Sequence, residues 1–294
     1  MLGRRSRPDR PQGPDRRRRG HRRFHHPGRW EPRIRRHVLA EFRALQAELG
    51  IGPEQIVPVP GNHDFVRYPP GTVEVADIIA RSVEAQTDLQ HEIDYREFAQ
   101  LLCGRDSQAS LHYVRRFEMG EFDLLLCVLN SCTITASHWT EYGYVGKSGI
   151  DAINQLSREP IDKPTYKFVA LHHHLLPVTG VATPARDGVT LTLDAANVLA
   201  SSQQAGVHVT LHGHQHKAAL AIYQGISLNA RDSGKPIHIV SNGSTSARSN
   251  RRSDGDRNTY GLIQLSKNGA ALRLRELRSD GDSAGELYKG PLRL

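Results

Sequence analysis

Apolar positions along the chain fall into short β-branched runs and longer stretches with helical spacing. Val38, Leu39, Phe42, Leu45 and Leu49 recur at helical intervals, and Gly50 stands where such a helix stops. Residues 55–59 predict a short strand, 69–71 a Pro-Pro-Gly loop, and 73–102 one or two polar helices closed by Gly104. Residues 111–117 and 122–130 predict two strands joined as a hairpin across Met119-Gly120-Glu121. Ile150, Ile153 and Leu156 stripe a helix over 148–158, and 167–171 reads as a strand. After a Pro/Gly-containing loop over 175–189 come a helix at 194–204 and a strand at 207–211. The rest reads as successive, mainly antiparallel strands at 218–223, 237–241, 260–265 and 271–276, with a polar loop over 242–258. Helices and strands alternate first and strands then follow one another. That order predicts an α/β fold with two packed sheets flanked by helices.

Three of the predicted strands end in side chains that carry chemistry. Residues 55–59 run into Gly61-Asn62-His63-Asp64, 167–171 into His172-His173-His174, and 207–211 into His212-Gly213-His214-Gln215-His216. Gly61 permits a sharp turn. Asn62 offers a carbonyl oxygen, His63 a ring nitrogen, and Asp64 a carboxylate able to orient that ring. Imidazoles are the common nitrogen donors to transition metals. Open α/β sheets put their chemistry at the carboxyl ends of strands. In extended chain His172 and His174 would share a side and His173 would oppose them.

These stretches, in this order, resemble the calcineurin-like metallophosphoesterases, in their cyclic-nucleotide phosphodiesterase-like branch. The likeness covers roughly residue 38 to the end and rests on Gly-Asn-His-Asp, a strand-end His and Gly-His-x-His. It implies a four-layer αββα sandwich and a phosphoesterase that cleaves phosphomonoesters or phosphodiesters with a di-metal-activated hydroxide. It further implies that Asn62, His172 and His214 hold one ion and that His216 helps to hold another. His173 is the rival of His172, and His212 reads as a supporting residue. His63 would protonate or stabilise the leaving oxygen, oriented by Asp64. Mixed N/O donors suit Mn, Fe or Zn better than Ca or Mg. The family's first two motifs, Asp-x-His and a Gly-Asp motif, are not visible. The expected fold is therefore N-terminally incomplete, and the second of two divalent ions lacks most of its ligands.

Charge changes the picture at the start of the chain. Of the 294 residues, 1–36 carry 14 Arg against Asp9, Asp15 and Glu31, and no Lys; the remainder has a net charge of −3 within the chain's +8. Residues 1–36 hold too few aliphatic side chains to offset the entropy of ordering, which predicts an unfolded segment ahead of a phosphoesterase domain over 37–294. Asp9 and Asp15 follow no strand and are not assigned as ligands. Arg with His, Pro and Gly but without Lys is also what a GC-rich gene gives in a shifted frame. The codons of Arg22-Arg23-Phe24-His25-His26-Pro27, read one nucleotide on, permit Gly-Asp-Phe-Thr-Thr, which resembles the missing second motif. Sequencing of the coding DNA tests this, since codons unable to give Gly-Asp there end the idea.

An alternative function is a catalytically inactive module of the same fold, with the basic arm binding nucleic acid. The mildly acidic remainder gives nucleic acid no support as a partner. No run approaches 18 apolar residues, so no membrane partner is expected. The start lacks the apolar stretch of a secretory signal, and three cysteines without metal-type spacing read as thiols in a reducing compartment; both point to the cytoplasm. The substrate expected is a phosphate ester. Relatives with these motifs handle cyclic nucleotides, nucleic-acid ends, nucleotides and phosphoproteins.

Overall fold

Four parallel strands form the centre of a six-stranded sheet, and the carboxyl ends of two of them carry the histidines. The structure is a computed structural model that describes residues 32–65, 90–134, 141–177, 190–225, 234–246, 257–277 and 285–292. The sheet contains β1 (Tyr113–Glu118), β2 (Asp123–Val128), β3 (Thr165–Ala170), β4 (Val209–His212), β5 (Ala219–Tyr223) and β6 (Ile237–Ser241). Its spatial order is β1-β2-β3-β4-β6-β5, with β2, β3, β4 and β6 parallel and the edge strands β1 and β5 antiparallel. The expected β1–β2 hairpin is there, with Gly120 at φ 74 in its turn.

Both faces of this sheet are covered, which accounts for the nearly unbroken apolar run of β2 and β3. On one face α3 (Gly146–Arg158) and α4 (Ala195–Gln204) bury Ile153, Leu156, Val198 and Leu199 against Leu125, Cys127, Val169 and Ile239. On the other face Phe122, Phe168, Val209 and Val240 meet Ala270, Leu272, Leu274 and Leu292 of a second, antiparallel sheet. That sheet consists of β7 (Thr259–Ser266), β8 (Gly269–Glu276) and β9 (Gly285–Leu292). The α/β fold with two packed sheets is therefore as expected. The described residues supply a helical layer and both sheets, and leave Leu262 and Leu287 of the second sheet exposed.

Several details depart from the pattern reading. The strand expected at 55–59 is irregular chain beyond a short 3₁₀ turn. Pro58 and Pro60 explain this, because alternate positions of a strand donate on the same side and neither proline has an N–H. The strands at 219–223 and 237–241 do not continue a meander with the later ones: β6 sits between β4 and β5 in the first sheet. The pattern gives no sign of β9, because Gly285, Gly290 and Pro291 read as loop punctuation, yet an edge strand tolerates them.

The first helix, α1 (Pro32–Leu49), begins five residues before the expected start at 37, so the boundary drawn at residue 36 falls inside it. Proline suits the first helical position. Arg35 then pairs with Asp94 at 2.8 Å and Glu97 at 2.5 Å on α2 (Ile93–Cys103), which gives this part of the Arg-rich stretch a folded role. Leu39, Phe98 and Leu102 bury one another beneath that contact. Residues 1–31, including Asp9, Asp15 and Arg22–Pro27, lie outside the described residues, as do the expected loop at 69–71, residues 73–89 of the helices expected over 73–102, residues 178–189 of the loop expected over 175–189, and much of 242–258.

Candidate metal centre

Because β2, β3 and β4 are parallel neighbours, the segments that follow them meet at one edge of the sheet. After β2 come Asn130, Ser131 and Cys132; after β3, His172 to His174; after β4, the Gly213–His216 loop. The turn at 61–64 is brought to the same edge. Cys132 Sγ lies 3.4 Å from the Pro60 carbonyl, and the Asp64 carboxylate closes the turn by accepting the Gly61 N–H at 2.8 Å. Gly61 matters for space rather than for its backbone angle. A Cβ there would stand 3.1 Å from Cε1 and Nδ1 of His172, tighter than ordinary contact, so the ring would have to shift.

The polar atoms converge in a chain of short distances. His172 Nε2 is 3.1 Å from Asn62 Oδ1 and 3.1 Å from His214 Nδ1. Ligand atoms of His172, His173 and His214 all lie within 4.8 Å of one another. His173 is fully buried, and its Nδ1 is held by Ser131 Oγ at 2.9 Å. The strand-end rivalry between His172 and His173 thus ends with both in the cluster. The expectation that His172 and His174 share a side fails, because the chain bends after Ala170 and leaves the two-residue repeat. His174 turns instead to His212, Nδ1 to Nδ1 at 2.8 Å, and accepts the Gln215 N–H at 3.3 Å. This buried pair supports the loop that carries His214, the part expected of His212.

The loop itself is unusual. His214 and His216 have φ of 72° and 56°, a region that residues other than glycine seldom adopt and that clusters at functional sites. Among the described residues, His216 is not in the group able to share an ion with His172, and no carboxylate is either. His216 lies near enough to His214 for its charge to act on it, outside the three-histidine group. His63 is exposed, and near enough to His172 and His214 for its charge to act on both.

Burial sets the protonation. It holds His172 well below the usual imidazole range, helped by the charges of its neighbours His173 and His214. His214 is lowered to about 4, again chiefly by burial. The Asp64 carboxyl is pushed up to about 6 by burial, which the Gly61 N–H opposes. Rings kept neutral retain a bare lone pair, which is what a metal requires of histidine. Asn62, His172, His173 and His214 therefore fit one transition-metal ion in donor type, the three histidines in mutual proximity, and His172 and His214 in charge state. The described residues do not complete a second.

Two outer residues were not among those the sequence singled out. Ser131 follows a predicted strand and could have been suspected on that ground, whereas Thr190, 2.9 Å from His214 Nε2, is a lone threonine beside a loop.

No protein-family model and no characterised relative matches the sequence. Several solved structures are similar in part. GAP50, the anchor in the inner membrane complex of Plasmodium, is 12% identical with a TM-score of 0.36, over 62% of this chain and 53% of that one. The purple acid phosphatase PPD1 of yellow lupin seeds is 13% identical with a TM-score of 0.49, over 84% of this chain and 43% of that one. Vps29 of Entamoeba histolytica, solved with zinc, is 11% identical with a TM-score of 0.27, over 67% and 74%. The chain spans about half the length of the first two, 53% and 43%.

Proposed function

We propose that this chain is a metal-dependent phosphoesterase of the calcineurin-like kind, acting on a phosphomonoester or phosphodiester. The supporting observation is that Asn62, His172 and His214, drawn from three distant motifs in the order of the resemblance, approach one another at 3.1 Å steps. These residues, with His173, would hold the ion. A bound Mn, Fe or Zn ion would supply positive charge to stabilise the phosphoryl oxygens. His63 would hold the proton that the leaving oxygen needs, and Asp64 would fix the turn that carries it by its bond to the Gly61 N–H. His216 remains a candidate for a second ion, which the described residues do not complete. The buried thiols of Cys127 and Cys132 suit a reducing compartment such as the cytoplasm.

A second reading is a metal-binding module without turnover. One observation favours it: among the described residues no carboxylate joins the cluster, so nothing there bridges two ions. The two readings separate in one assay, hydrolysis of bis-(p-nitrophenyl) phosphate and p-nitrophenyl phosphate by the full chain with and without Mn²⁺. The first expects slow hydrolysis that chelation and His214→Ala abolish. An ion bound with no hydrolysis above the free-metal rate supports the second.

A further inference from the structure

A neutral imidazole has one bare nitrogen, and the hydrogen bond made by the other nitrogen decides which one it is. In His214, Nδ1 faces the cluster, 3.1 Å from His172 Nε2. Nε2 points the opposite way, to Thr190 Oγ1 at 2.9 Å, with the Glu141 carboxylate 3.9 Å off. Thr190 Oγ1 also receives Gln215 Nε2 at 3.4 Å and has a second lone pair for an N–H from the ring. The surroundings of Nε2 are thus rich in acceptors, while Nδ1 faces donors of lone pairs to a metal. We infer that Thr190 is a positioning residue that keeps the proton of His214 on Nε2 and leaves Nδ1 bare toward His172.

The threonine is well placed for this because its backbone neighbours are pinned. The Thr192 N–H donates to the His174 carbonyl at 2.9 Å, Gly143 N–H to Leu191 at 3.1 Å, and Leu193 N–H to Gly143 at 2.7 Å. The hydroxyl is thereby referred to the same strand end that carries His172. Outer partners of this kind, when removed, typically weaken metal binding about 10–100-fold.

The inference rests on His214 being a metal ligand, and the experiment separates the two. Co²⁺ alone is titrated calorimetrically into the full chain and into Thr190→Val, Thr190→Ser and His214→Ala. In parallel, ¹⁵N–¹H long-range spectra of the metal-free proteins report the His214 tautomer. Thr190→Val, which keeps shape and loses the hydroxyl, should bind Co²⁺ about 10–100-fold more weakly and show a mixed His214 tautomer. Thr190→Ser should restore both. Wild-type affinity and tautomer in Thr190→Val, with binding lost in His214→Ala, would overturn the role of Thr190 and leave the metal site standing. Loss in Thr190→Val that Thr190→Ser does not restore would likewise overturn it, as a packing effect. Unchanged Co²⁺ binding in His214→Ala would remove the metal site itself and the inference with it.

Discussion

His172 Nε2 and Asn62 Oδ1 stand 3.1 Å apart although 110 residues separate them in the chain. The turn meets His172 because Pro60 touches Cys132, in the segment after β2, and β2 pairs in parallel with β3, which His172 follows. Loss of either side chain removes a donor directly facing the shared point. Asn62→Ala and His172→Ala should each weaken Mn²⁺ or Zn²⁺ by more than the roughly 10–100-fold typical of an outer partner. Isothermal titration of the purified variants checks this. His63→Ala should leave the affinity nearly unchanged and reduce any turnover by about 10²–10⁴-fold.

Glycines in contact with the histidines should be intolerant in a graded way. At Gly61 an added Cβ meets the His172 ring at 3.1 Å, which a small ring shift relieves. Gly61→Ala should therefore lower metal affinity with little loss of fold. At Gly143 the Cβ would lie 2.7 Å from His173 Cβ, close to the backbone and unable to move freely. Gly143→Ala should destabilise the protein by about 1–3 kcal/mol, measured by urea unfolding.

Asp194 sits just before α4 but serves α3. Its carboxylate accepts the Val145 N–H at 3.0 Å and the Gly146 N–H at 2.8 Å, at the start of that helix. Two donors and the positive end of the helix are satisfied together. Asp194→Ala should cost about 1 kcal/mol or somewhat more, and Asp194→Asn should recover part of it. The same unfolding curves decide this.

The pH dependence of stability should reflect Asp123. Its carboxyl is held below the usual range by its ion pair with Lys163, at 2.8 Å, and by a hydrogen bond from Arg116, at 2.7 Å. A depressed folded-state value means that the unfolded chain binds the proton more readily. The stabilisation is therefore fully present above the unfolded value of about 3.9 and is lost as pH falls through the lower folded value. The melting temperature of Asp123→Asn should lie below that of the wild type at pH 7, and the gap should close toward pH 3. A gap that widens in acid would contradict the assignment.

The ends of β3 and β4 were legible because period and chemistry agree there: an apolar run stops where imidazoles begin. The same logic placed Asn62, His63 and Asp64 on a strand end that does not form. Apolar content suggested a strand at Ile56 to Val59, but hydrogen-bonding capacity, which Pro58 and Pro60 remove, decided against it. Alternation misassigned His173 and His174 for a related reason, since a period-two rule holds only while the chain stays extended. The motif names His214 and His216, but the left-handed backbone at both, which sets where their rings point, is encoded by no pattern. Thr190 had no periodic or motif signal at all. Its position follows from a backbone bridge to His174, a long-range contact set by the whole sheet edge.

The most direct measurement is anomalous diffraction at the zinc edge from crystals of the full chain grown with one equivalent of Zn²⁺. The expected result is one strong peak bonded to Asn62 Oδ1 and to ring nitrogens of His172 and His214 at about 2.0–2.2 Å, with His173 the next nearest donor. A zinc peak elsewhere on the chain, or none at this site under saturating zinc, would contradict a metal centre built from these residues.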